Sequence, residues 1–156
     1  MKWMFIIVLF FFISEAQVSQ QPAARMKKDS QGTPSLRLNQ QGSNVLTVFK
    51  NVEHGIQKCA VQEFAKELGS MVSISMGSAE RGYFSVNQAA SVLSGFFSGR
   101  RPISFEFSRI NGKGASPYAT GRFMYIQKGN QESVQVYVSL TRQNSRWVVN
   151  QFNIYE

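Results

Sequence analysis

Four segments in the last third of the chain constrain its fold most. In Pro102–Ile110, residues Ile103, Phe105 and Phe107 alternate with Ser104, Glu106 and Ser108. In Ser133–Thr141, residues Val134, Val136, Val138 and Leu140 recur at period two. Tyr118–Gln127 and Arg146–Tyr155 complete the set. The turn signals between them are Asn111-Gly112-Lys113-Gly114, Lys128-Gly129-Asn130 and Gln143-Asn144-Ser145. Period-two hydrophobicity broken by short Gly/Asn turns specifies an antiparallel meander. A meander with one apolar face must bury that face under something else.

The cover is expected from helices upstream. In Val45–Leu68, residues Phe49, Val52, Ile56, Ala60 and Phe64 fall at three- and four-residue steps on one stripe, with Asn44 as cap. Gly55 weakens the middle of this helix and marks a kink or a break. A short strand, Ser70–Met76, follows, and Gly82–Ser85 is a second extended piece. Asn87–Ser98 is helical again, with Ser85 or Asn87 as cap and Gly99 as stop. The expected fold class is α+β: N-terminal helices packed on a curved, mainly antiparallel sheet of four to six strands, all within 45–156.

The first sixteen residues read as a secretory signal peptide. Lys2 supplies the positive start, Trp3 to Ile13 the apolar run, and Ser14-Glu15-Ala16 small residues for a cut between Ala16 and Gln17. Eleven helical residues rise about 16 Å, roughly half of a ~30 Å hydrocarbon core, so an anchor is not expected and no transmembrane segment remains after the cut. Residues 17–44 are rich in Gln and Ser with few large apolar side chains, and read as a disordered polar linker. The protein is therefore expected to be exported, to periplasm or medium.

Composition then narrows the chemistry. One Cys and one His exclude an intramolecular disulfide framework and a cysteine- or histidine-rich zinc site, so no metal and no cofactor are expected. Cys59 reads as a small buried hydrophobe beside Ala60 and Val61. The formal charge is +8, from 17 Lys+Arg and 9 Asp+Glu. Arg100, Arg101, Arg109 and Lys113 crowd one stretch, which would favour an anionic envelope component. No signature of a specific nucleic-acid reader is present.

The order helix, strands, helix, meander resembles the nuclear transport factor 2-like fold, a cystatin-like cone. It carries Val86-Asn87-Gln88-Ala89, Phe96-Phe97, Pro102-Ile103-Ser104-Phe105, Tyr118-Ala119-Thr120-Gly121, Val136-Tyr137-Val138 and Trp147 to Ile154. More narrowly it resembles an uncharacterised exported bacterial family, a domain of unknown function. The resemblance covers 45–156. It implies a compartment and a cone, and sheet-to-sheet homodimers are common in the fold.

Enzymes of the wider superfamily place an Asp or His base in the cone beside a hydroxyl or acid. The folded segment here has no Asp, and His54 is its only imidazole. His54 lies about 140° from Phe49 on an ideal helix, turned to solvent. Glu53, about 40° from Phe49, is the one acid placed to reach a cone interior, with a helix-edge salt bridge as the alternative. Tyr83, Phe107, Tyr125 and Tyr137 are candidate pocket residues, and packing is the rival role for each. The leading expectation is a non-catalytic binding or interaction module of the cell envelope. Its ligand is either a small apolar molecule in the cone or an anionic partner at the basic face. The alternative is an isomerase- or cyclase-like enzyme using Glu53 or His54 with a tyrosine.

Overall fold

The computed structural model describes residues 34–156, with side chains from Asn44 onward. The signal-peptide reading and most of the linker reading fall outside the described residues.

The meander forms as expected. Strands β3 (Arg101–Asn111), β4 (Tyr118–Gln127), β5 (Asn130–Gln143) and β6 (Arg146–Tyr155) pair consecutively and antiparallel. Lys128-Gly129 and Asn144-Ser145 all have positive φ (50°, 86°, 47° and 66°), as two-residue hairpin turns matching strand twist require. Strand β1 (Leu68–Met76) lies parallel to β6, and β2 (Glu80–Ser85) closes the other edge antiparallel to β1. The sheet order is β2-β1-β6-β5-β4-β3.

Helix α1 spans Pro34–Gln57 and α2 spans Val86–Phe97. Ser85 caps α2, with the Gln88 Oε1 accepting from its backbone N–H at 3.0 Å. The first helix differs from expectation at both ends. It begins at Pro34, inside the stretch read as linker, and stops at Gln57 rather than Leu68. Cys59 takes φ +52°, and two single 3₁₀ turns, Val61–Glu63 and Ala65–Glu67, replace the continuation. The reason is packing. Phe64 folds back until its ring occupies the space a side chain at Gly55 would need, and it stacks on Phe152 at 6.3 Å. A straight helix would carry Phe64 past both.

One core lies between helices and sheet. Phe49, Phe64, Phe123 and Phe152 are completely buried with Val52, Ile56, Leu93 and Leu140. Each such side chain contributes roughly 2–3 kcal/mol of transfer free energy. Ring contacts run through it: Phe49–Phe107 at 5.7 Å, Phe105–Phe107 at 5.0 Å and Phe97–Phe123 at 5.4 Å. Ile103 is a correction. The β3–β4 register shifts between Pro102 and Ser104, so Ile103 drops out of the alternation and is 46% exposed.

Candidate functional site

Glu53 and Gln57 stand one turn apart on α1 and face β3, an edge strand. Glu53 Oε2 accepts from Phe107 N at 2.9 Å, and Gln57 Nε2 donates to Phe105 O at 2.8 Å. Together they satisfy β3 backbone groups that point away from β4, as a further strand would. The carboxylate is thus held by a backbone N–H, in place of the salt bridge or free cone base considered from sequence. His54 faces solvent, its side chain 58% exposed, with Nε2 3.4 Å from Glu63 Oε2.

The four candidate pocket residues are not brought together. Tyr83 sits on the outer sheet face, 77% exposed. Phe107 is buried among the core rings. Tyr137 stacks on Tyr118 at 5.8 Å, half-buried. Tyr125 is buried with its hydroxyl 3.2 Å from Glu132 Oε2. The four candidate cations also separate. Arg101 begins β3, while Arg109 and Lys113 lie at its far end. Arg100 turns to a pocket.

That pocket opens between α2 and the end of the sheet carrying the β1–β2 turn. Its volume is about 340 Å³. Val92, Gly95 and Phe96 of α2, Met76 of β1 and Ile154 of β6 line it, with Arg100, Glu80 and Glu156 as charged members. A Cβ built on Gly95 would meet nothing within 4 Å, so this glycine leaves the space open.

Arg100 is held firmly. Its guanidinium lies 4.0 Å over the Phe96 ring and 5.2 Å from that of Tyr125. Nη1 donates to Phe96 O, whereas Nε is buried without an acceptor. Arg100 has no ion pair among the described residues. Its carbonyl accepts from Cys59 Sγ at 3.6 Å, and burial pushes the Cys59 thiol above its ordinary range, offset in part by the Arg100 charge.

Sequence reasoning missed this pocket. Its lining comes from three separated segments that meet only at one end of the sheet. It also missed Glu67, 6% exposed, whose Oε1 accepts from Asn51 Nδ2 at 2.8 Å. No cluster of three or more metal-ligating side chains exists among the described residues, and no described helix is long and apolar enough to cross a membrane.

Residues 49–155 match the family described as Domain of unknown function (DUF4783). A search of the curated proteins finds no match. Among solved structures, a DUF4783 protein from Bacteroides uniformis superposes with TM-score 0.62 at 19% identity, over 69% of this chain and 94% of that one. One from Bacteroides fragilis gives 0.58 at 18%, over 67% and 93%. An NTF-2 like protein of unknown function from Shewanella oneidensis gives 0.52 at 7%, over 73% and 98%. At these identities the likeness concerns the fold. The helices and curved six-stranded sheet form a nuclear transport factor 2-like cone.

Proposed function

The chain belongs to the DUF4783 family, and from that premise we propose that it is an exported, non-catalytic binding module of the cell envelope. Its ligand is a small molecule with an apolar body, taken into the pocket beside α2 rather than into the cone.

The pocket carries this reading. Its 340 Å³ falls within the range of small-molecule sites, and its walls are mainly apolar with three charged side chains. The interior beneath the sheet is filled by Phe49, Phe105, Phe107 and Phe123. The enzyme alternative needs a carboxylate or imidazole beside a hydroxyl donor in an open cavity. Glu53 is engaged by Phe107 N, His54 is on the surface, and the pocket lining includes no tyrosine, serine or histidine. Export rests on Lys2, the apolar run and the small residues before Gln17.

Native mass spectrometry of the protein from an exporting host tests both parts. The expected spectrum shows a chain beginning at Gln17 and a mass excess that disappears on denaturation. Gly95→Leu should remove the excess without loss of stability, because it fills open space and replaces a helix glycine. A chain retaining Met1 would overturn export. A bare wild-type mass, together with no ligand titration that Gly95→Leu alters, would overturn the binding reading.

A further inference from the structure

The pocket is lined by charges of opposite sign that do not neutralise each other. Arg100 enters it just beyond the C-terminus of α2. Glu80, which opens β2 opposite Met76, and Glu156, which follows β6, flank the β1–β2 turn, where a Cβ on Gly77 would lie 4.0 Å from Glu156 Cδ; both are exposed at the pocket rim. Neither carboxylate has an ion pair or hydrogen bond among the described residues, and Arg100 has no carboxylate partner there. A half-buried guanidinium without a counter-charge is costly unless an anion joins it. The rest of the lining includes the apolar Met76, Val92, Phe96 and Ile154.

We infer that the ligand is a small amphoteric molecule of the apolar amino-acid class. Its carboxylate meets Arg100, its ammonium meets Glu80 and Glu156, and its hydrocarbon side chain lies on Val92 and Phe96. This deepens the binding reading above and rests on it. A simple anion would face two carboxylates, and a simple amine would face the guanidinium, so each is selected against. At about 340 Å³ the pocket is large enough for a molecule of that size.

The test is isothermal titration calorimetry of the exhaustively dialysed protein with L-leucine, L-methionine and L-phenylalanine. Two one-charge analogues of leucine, 4-methylpentanoate and 3-methylbutylamine, are titrated alongside. At least one amino acid should bind with Kd below about 1 mM, and each one-charge analogue should bind about tenfold or more weaker than its parent, the scale of one lost charged hydrogen bond. The E80Q/E156Q variant should weaken amino-acid binding by a similar factor and spare 4-methylpentanoate, while Gly95→Leu should abolish all binding. Three silent amino acids would overturn the inference, as would an unaffected E80Q/E156Q variant. Analogues binding as tightly as leucine, yet lost in Gly95→Leu, would overturn the amphoteric ligand and leave the pocket standing. Failure of the pocket reading itself is separate: a bare native mass, with no titration altered by Gly95→Leu.

Discussion

Gly55→Ala sets local propensity against tertiary packing. Gly55 lies within α1, where alanine is favoured over glycine by about 1 kcal/mol. Local reasoning therefore predicts a more stable protein. The structure predicts the reverse. A Cβ at position 55 would run into Phe64 Cδ1, and it would stand 3.1 Å from Ala60 O. Phe64 is completely buried and stacked on Phe152, so its ring has no free space to retreat into. Overpacking of this kind costs about 1–3 kcal/mol. The net expected change is a loss of up to about 2 kcal/mol, or up to roughly 10 °C in Tm for a domain between the 100- and 150-residue classes. Urea denaturation of the wild type, Gly55→Ala, Phe64→Leu and the double variant measures it. Trimming the ring should rescue Gly55→Ala, with a coupling of about 1 kcal/mol or more between the two sites. A Gly55→Ala protein more stable than wild type, or additivity within about 0.5 kcal/mol, would refute the packing argument.

Two further outcomes follow from the same geometry. Glu53→Ala leaves the Phe107 N–H without its acceptor and should cost about 1–3 kcal/mol, whereas Glu53→Gln keeps an oxygen to accept and should cost less; equal losses in urea melts would remove the edge-capping role. Burial raises the Cys59 thiol pKa in the folded state, so the folded protein holds its proton more tightly than the unfolded chain. That stability is fully present below the unfolded thiol value of about 8.5 and is lost as pH rises through the higher folded value. Wild type should therefore lose stability between pH 8 and the alkaline limit faster than Cys59→Ala, and parallel pH profiles would contradict this.

Much of the fold was legible because its signals are local. The alternation of Val134, Val136 and Val138 names a strand and its buried face without any knowledge of the partner strand, and all three are buried. The stretch from Asn87 to Ser98 reads as a helix with Ser85 or Asn87 as cap, and the structure selects Ser85, whose backbone N–H bonds Gln88 Oε1. The β4 and β6 spans match the expected segments because each is bounded by turn chemistry that few other backbones accept. Ile103 shows where locality ends. Its alternation with Phe105 is perfect in sequence, yet a bulge against β4 turns it outward, and only the partner strand determines that.

Sequence alone thus determined that this chain builds a meander covered by helices, since periodicity and turn residues act over a few neighbours. It also named Glu53, His54 and the tyrosines as the groups with chemistry to offer. Tertiary structure decided what those groups do. Glu53 was drawn to the Phe107 N–H because β3 is an edge strand, a property of sheet order rather than of any residue. α1 ended at Gln57 because Phe64 gains more from Gly55 and Phe152 than from continuing a helix. Arg100, one of four cations in a short stretch, became distinct only when α2 set it over Phe96 and beside Tyr125. Met76, Val92, Ile154 and Glu156 share a pocket because strand and helix ends converge there, and pockets form from distances through space that no sequence spacing encodes.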